Sequence, residues 1–133
     1  MIRIFSVLIL LISNSFADIQ IRKQNDLFCY DGDTCSVTYD GKKDKVRLLD
    51  LDTPEISNPK CEKEYILAIE ARNYINKLIS DGKRIEFETE YNRDFFGRIL
   101  SYIIVDGENV SKLMVSHSLG VLYDKNNKKD WCE

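Results

Sequence analysis

Three short segments of this chain bring carboxylates and guanidiniums close together: Asp31-Gly32-Asp33-Thr34, Arg47-Leu48-Leu49-Asp50-Leu51-Asp52-Thr53-Pro54-Glu55, and Asp94-Phe95-Phe96-Gly97-Arg98. Carboxylates hold hard divalent cations through oxygen. Two well-placed guanidiniums clamp a phosphate and meet the charge that develops on it. Together these residue types point to phosphodiester chemistry. Asp33 and Asp52 are the candidate metal ligands, with the Thr53 carbonyl and waters completing an oxygen shell that suits Ca2+. Glu55, just beyond Asp52, is the candidate general base or orienter for an attacking water. Arg47 and Arg98 are the candidate phosphate clamps. Taken singly, each residue also fits a plainer role. Asp33 could cap its own turn, Asp52 could end a strand, Glu55 could be a solvated loop residue, and each arginine could sit in a surface salt bridge. The joint pattern, not any one residue, carries the argument.

The elements that must position these groups are legible from periodicity. Residues 19–30 read as a first strand, 34–39 as a second, and 45–51 as a third, with Asp31-Gly32-Asp33 and Asp40-Gly41 as the turns. In the third strand Val46, Leu48 and Asp50 share one face and Arg47, Leu49 and Leu51 the other. The meander then brings Asp33 and Asp52 to one end of the sheet. Residues 62–80 are predicted helical, with Leu67, Ala71, Tyr74, Ile75 and Leu78 as one apolar stripe. Glu62 and Glu64 favour its N-terminal end and Gly82 its exit. Ile85, Phe87 and Thr89 alternate as a fourth strand. Residues 98–105 make a more buried fifth, and Val110, Leu113, Met114 and His117 lie on the inner side of a short helix near 109–118. The class is a β-rich α+β fold: a five-stranded OB-type Greek-key barrel, with a helix between strands 3 and 4 and a short helix after strand 5.

Bulk properties bound the reading. The chain has 133 residues, enough for one domain, with 44% hydrophobic and 31% charged residues, as in ordinary globular folds. Residues 1–17 form a separate unit: Arg3, an apolar run from Ile4 to Ile12, then Ser15 and Ala17 at the −3 and −1 positions. This is the layout of a secretory signal peptide cleaved after Ala17. The run is too short for a stable membrane anchor. Cleavage leaves residues 18–133 as a single domain. It removes one positive charge, Arg3, and moves the formal net charge from −3 to −4. An acidic balance disfavours a protein that coats nucleic acid by electrostatics alone, but not an enzyme with cations focused in one cleft. Cys29, Cys35, Cys61 and Cys132 all lie in the exported part, and an even count there suggests two disulfides with three pairings open. Zinc is disfavoured: no C-x-x-C spacing occurs and His117 is the only histidine. That histidine reads as a structural residue.

From Asp31 to about Tyr123 the chain resembles the staphylococcal (micrococcal) nuclease family, the thermonuclease-like OB-barrel enzymes. The resemblance rests on the three segments above, on Glu70-Ala71 in the helix, and on the apolar strand followed by Asp106-Gly107. It implies that Asp33, Asp52 and the Thr53 carbonyl bind calcium, that Glu55 positions or deprotonates the water, and that Arg47 and Arg98 stabilise the transition state. It further implies a calcium-dependent nuclease, and with the signal layout the expectation is a secreted or periplasmic monomer. DNA and RNA would be its substrates, cut at the 5′-oxygen to leave 3′-phosphates. The alternative is a non-catalytic OB module that binds nucleic acid or a protein.

There are departures. The family often carries Lys-Tyr where this chain has Phe95-Phe96, so two aromatics replace a cation and a phenol and are candidates for base stacking, with Tyr123 beside them. Asp50 is an additional carboxylate on the face of Asp52, expected behind the metal ligands, with two readings: a member of the metal shell or a buried acid paired with a lysine. The familiar long third helix is missing. A Cys61–Cys132 disulfide is expected to tie the tail to the loop in its place, with Cys29–Cys35 across the first hairpin stiffening the metal-binding turn.

Overall fold

The computed structural model describes residues 26–133. The expected signal peptide, and the part of the first strand before residue 26, lie outside them. Eight strands and two helices follow in order: β1 (Leu27–Cys29), β2 (Thr34–Tyr39), β3 (Lys42–Leu48), β4 (Leu51–Asp52), α1 (Glu62–Asp81), β5 (Ile85–Thr89), β6 (Ile99–Val105), β7 (Glu108–Asn109), α2 (Val110–Ser116) and β8 (Val121–Leu122). The main sheet runs β1-β2-β3-β6-β5, with β7 beside β6, and β4 pairs separately with β8. All neighbours are antiparallel except β3 and β6, which run parallel with Arg47 opposite Leu100. This curled mixed sheet is the OB-type barrel expected from the sequence, with α1 and α2 in the expected places.

Alternation makes the sheet. In β6 every second residue is buried (Ile99, Ser101, Ile103 and Val105), and these inward groups meet Val37, Val46, Leu48 and Phe87 in one core. α1 covers the core with Ala71, Ile75 and Ile79, and α2 adds Val110 and Met114. The buried face of α1 is Glu64, Ala68, Ala71, Ile75 and Ile79. The stripe expected through Leu67, Tyr74 and Leu78 is therefore rotated, and those three are half-buried at its margin. Asn76 caps the exposed edge of β1: its amide Oδ1 accepts the Cys29 N–H at 2.8 Å and its Nδ2 donates to the Cys29 carbonyl at 2.8 Å. An edge strand is thereby given partners by a helix side chain.

The third strand ends earlier than its hydrophobic pattern suggests. Leu49-Asp50 is a turn, with Asp50 in the left-handed region at φ 58°, so Leu51–Asp52 becomes a separate short strand. Three contacts fix this turn. Leu49 N–H donates to Ser101 O at 3.0 Å, Tyr123 N–H donates to Asp50 O at 3.2 Å, and Ser111 Oγ donates to Leu49 O at 2.9 Å. Both expected disulfides are formed, Cys29–Cys35 and Cys61–Cys132. Among the described residues no helix is long and apolar enough to cross a membrane.

Candidate active site

A cavity of about 630 Å³ opens at the end of the sheet where β2 begins and β3 and β4 meet. Asp31, Asp33, Arg47, Asp50, Asp52, Glu55, Asp94, Phe96, Arg98, Tyr123 and Lys128 are among the residues that line it. The fold thus gathers Asp33, Asp52, Glu55, Arg47 and Arg98 in one place. Thr53 lies just outside the lining, fully buried at 1% exposure. Phe95 is 97% exposed and does not line the cavity, whereas its neighbour Phe96 does.

Asp33 is set by its turn and by its cross-sheet neighbours. Asp31 Oδ1 accepts the N–H groups of Asp33 and Thr34 at 3.1 and 2.9 Å, an Asx turn that aims Asp33 inward. Asp33 Oδ2 accepts the Thr53 N–H at 3.1 Å and lies 3.4 Å from the Arg47 guanidinium. Arg47 also donates to the Leu48 carbonyl at 2.9 Å and stands 5.9 Å from the Tyr123 ring centre. Gly32 is required beneath this arrangement, because a Cβ there would come within 2.7 Å of Thr53 Cγ2. Gly120 has a comparable role, since its Cβ would meet Leu51 Cδ1 at 2.6 Å and the Asp52 carbonyl at 3.3 Å.

Arg98 is held side-on. Its Nε donates to Asp94 Oδ2 at 2.7 Å, while Asp94 Oδ1 accepts the N–H groups of Phe96 and Arg98 at 3.0 and 2.8 Å. Burial opposes ionisation of Asp94, but the N–H bonds and the guanidinium of Arg98 outweigh it and hold the carboxyl below its usual range. Gly97, at φ 78°, supplies the left-handed residue that closes this turn. The Phe96 ring stacks 5.3 Å from the Arg98 guanidinium.

Glu55 is exposed, and its backbone is held from below. Glu64, buried at 4% exposure in the first turn of α1, accepts the Lys60 N–H at 2.6 Å and the Glu55 N–H at 3.4 Å. Cys61 is the N-cap of that helix. Glu64 therefore closes the loop from Glu55 to Cys61.

Electrostatically, the acidic side of the cavity is crowded. Burial, then the charge of Asp33, pushes the Asp31 carboxyl up to about 7. Burial likewise raises Asp52 and Glu55, with Asp33 adding to both. Clustered carboxylates of this kind are relieved by a cation. Among the described residues no three His, Cys, Asp or Glu side chains converge as a metal site by themselves. A cation here would rest on two carboxylates plus carbonyl and water oxygens. The buried Thr53 Oγ1, beside the cavity, has no hydrogen-bond partner among the described residues. These hard-oxygen donors fit a divalent ion of the calcium type.

Asp50 does line the cavity, but its partner is not a lysine. Tyr102 Oη donates a hydrogen bond to its carboxylate, and this bond, then burial, pushes the Tyr102 phenol up to about 12. His117 stands apart from the cavity, with its ring 4.6 Å from Tyr74 and Nδ1 3.0 Å from the Tyr74 hydroxyl.

Four lining or supporting residues have no role at the site in the sequence alone: Asp31, Glu64, which reads there only as a helix-start acid, Asp94 and Lys128. The Asp94/Arg98 spacing is a local signal for an acid that orients the arginine. Glu64 sits where a capping-box acid sits, although Cys61 replaces the usual Ser or Thr. Nothing near Lys128 in sequence announces that it reaches the cavity.

Residues 45–132 match the family of staphylococcal nuclease homologues. Over 103 residues the chain is 40% identical to endonuclease YncB of Bacillus subtilis (strain 168), covering 74% of this chain and 48% of that protein. It is 39% identical over 103 residues to the SPbeta prophage-derived endonuclease YokF of the same organism, covering 74% of this chain and 34% of the relative. It is 31% identical over 102 residues to the thermonuclease of Staphylococcus intermedius, covering 74% and 59%. The chain spans less than two thirds of the length of each of these curated relatives. With the family match covering the cavity from Arg47 to Lys128, and with the barrel that the family resemblance implied, the chain belongs to the staphylococcal nuclease homologue family.

Proposed function

We propose that this chain is a calcium-dependent nuclease that hydrolyses phosphodiester bonds of DNA and RNA and leaves 3′-phosphates. The observation that carries this reading is the joint lining of one cavity by Asp33, Asp52, Glu55, Arg47 and Arg98. Relatives named endonuclease and thermonuclease support it. In this reading Asp33, Asp52 and the Thr53 carbonyl hold Ca2+, which supplies Lewis-acid polarisation of a phosphoryl oxygen. Arg47 and Arg98 bind the scissile phosphate and meet the added negative charge of the transition state with donors already in place. Asp94 keeps Arg98 in position. Glu55 accepts a proton from the attacking water as the new P–O bond forms. The bond to the 5′-oxygen breaks, and that oxygen takes a proton from solvent. Partial desolvation at the cavity mouth, with the charge of Asp33, raises the Glu55 carboxyl, which brings this base closer to working pH than an isolated glutamate.

Export to the periplasm or the medium belongs to the same proposal, supported by the signal-like residues 1–17 and by two disulfides, which persist in oxidising compartments. All the proposed site residues come from one chain, so a monomer suffices.

The test is degradation of plasmid DNA and of RNA by the purified protein with calcium, with magnesium, and with a chelator. Glu55→Gln and Arg98→Ala run alongside. Calcium-dependent cleavage that falls by about two orders of magnitude or more in both variants supports the enzyme. Binding of nucleic acid with no cleavage in any metal would point instead to a non-catalytic OB module.

A further inference from the structure

The last eleven residues do more than end the chain. Trp131 is buried at 7% exposure, Cys132 is bonded to Cys61 at the start of α1, and Lys63 donates to the carbonyl of Glu133. Upstream, Asp124 Oδ1 accepts the Asn126 N–H at 3.0 Å, a local turn that reverses the tail. Between these anchors sit two adjacent lysines with different surroundings. Lys129 Nζ lies 5.3 Å from the Trp131 ring centre, while Lys128 lines the cavity.

The charge inventory of the cavity makes Lys128 notable. Its lining includes Asp31, Asp33, Asp50, Asp52, Glu55 and Asp94 against Arg47, Arg98 and Lys128. Arg47 is already engaged with Asp33, and Arg98 with Asp94. Lys128 has no hydrogen bond or ion pair among the described residues and is exposed. It is near enough to Asp52 and Glu55 that its charge favours their ionised forms. A flexible ammonium without a fixed partner is available to a polyanion, and a cavity of about 630 Å³ is larger than a single phosphate needs.

We propose that Lys128 is a substrate-binding residue of this site: held at the cavity by the Cys61–Cys132 bond, it pairs with a backbone phosphate flanking the scissile one. The inference rests on the nuclease reading and assigns a further contact within it. Without the disulfide, residues 124–133 keep the buried Trp131 and the Lys63 contact among the described residues, and Lys128 loses its fixed place.

The experiment measures binding rather than turnover. In a Glu55→Gln background with calcium present, the affinity for a short single-stranded DNA is followed across a salt series. The parent is compared with Lys128→Ala, Lys128→Arg and Cys61→Ser/Cys132→Ser. Each phosphate contact to a single strand contributes about 0.7 to the slope of log affinity against log salt. Lys128→Ala is expected to lower the slope by about 0.7 and to weaken binding on the order of fivefold at low salt. Lys128→Arg should stay near the parent, and the double serine variant, confirmed folded by circular dichroism, should reproduce the alanine slope. An unchanged slope in Lys128→Ala, with a parent that binds and a wild type that cleaves, overturns this proposal and leaves the nuclease reading standing. A lowered slope in Lys128→Ala with none in the serine variant overturns the tethering role. A parent that does not bind, together with a wild type that does not cleave, overturns both readings.

Discussion

Asp33 accepts the backbone N–H of Thr53 at 3.1 Å, so one carboxylate both faces the cavity and ties the start of β2 to the end of β4. The two roles separate by substitution. Asp33→Asn keeps an oxygen acceptor for Thr53 and removes the charge, whereas Asp33→Ala removes both. Leaving a buried donor unpaired costs about 1–3 kcal/mol. Thermal melts should therefore show Asp33→Ala clearly less stable than Asp33→Asn. Calcium titration by calorimetry should show both with strongly weakened binding. Equal calcium affinity in Asp33→Asn and wild type would remove Asp33 from the metal site.

Glu64 should act on cleavage without touching substrate. It accepts the Glu55 and Lys60 N–H groups, so Glu64→Ala frees the loop that carries the proposed base. The expected loss is about 1–3 kcal/mol of stability, together with a fall in kcat larger than any change in KM. Glu64→Gln keeps an acceptor oxygen and should recover most of both. If Glu64→Ala melts lower but turns over normally, the loop does not depend on this contact.

Much of this site was legible in the letters because its parts are local. A strand, a tight turn and a run from Arg47 to Glu55 fix the order of the groups, and alternation fixes their faces. Three features escaped for physical reasons. Apolar spacing puts the α1 stripe through Leu67, Ala71, Tyr74, Ile75 and Leu78, whereas the buried line runs through Ala68, Ala71, Ile75 and Ile79, because the tertiary packing partner rather than the spacing selects among adjacent lines. The early end of β3 depends on Asp50 adopting φ 58°, a conformation imposed by Ser101, Ser111 and Tyr123, all distant in sequence. Lys128 was invisible for the same reason: its place depends on a bond between residues 71 apart.

The Asp44–Arg93 pair predicts an acid-side loss of stability. Arg93 donates to both carboxylate oxygens of Asp44 at 2.9 and 2.8 Å, and the same guanidinium reaches the Gly97 carbonyl at 2.9 Å in the turn before Arg98. The Arg93 bonds, helped by the Lys45 N–H and the Tyr39 hydroxyl, lower Asp44 from 3.8 to about 2 against the opposing effect of burial. A carboxyl depressed in the folded state stabilises it above the unfolded value and ceases to do so as pH falls through the folded one. The contribution should be complete above about pH 4 and vanish toward pH 2. The exposure of Arg93 lets solvent screen the pair, so the contribution is small. Urea melts at pH 5 and pH 2.5 should show a larger drop for wild type than for Arg93→Ala. Identical drops would mean the pair is fully screened.

Phe95 and Phe96 should differ although they are adjacent. Phe96 lines the cavity and stacks on Arg98, whereas Phe95 packs only edge-on against Phe96 at 5.5 Å and is otherwise exposed. Stacking of a base on an aromatic contributes about 1–3 kcal/mol. Phe96→Ala is thus expected to weaken single-strand binding roughly tenfold or more, and Phe95→Ala much less. Neither should shift the melting temperature by more than a degree or two, because little area is buried. Equal losses would indicate that the two rings grip substrate as a unit outside the cavity.

Gly32 offers the sharpest check on whether the metal-side geometry is as tight as described. Its φ is not in the left-handed region, so a side chain there is not excluded by backbone conformation. What excludes it is Thr53, whose Cβ, Cγ2 and Oγ1 would all stand within 2.9 Å of an added Cβ. Thr53 is β-branched and fully buried, so it cannot swing aside without moving its backbone. That backbone holds the N–H bound to Asp33 and the carbonyl proposed for calcium. Gly32→Ala should therefore cost about 1–3 kcal/mol by overpacking and weaken calcium binding by a larger factor than it lowers stability. Gly41→Ala is the control: its φ of 73° strains the substitution, yet open space surrounds it, so it should lower stability with calcium affinity intact. Were Gly32→Ala to bind calcium like wild type, Thr53 would have room to move, and its carbonyl could not be a fixed ligand.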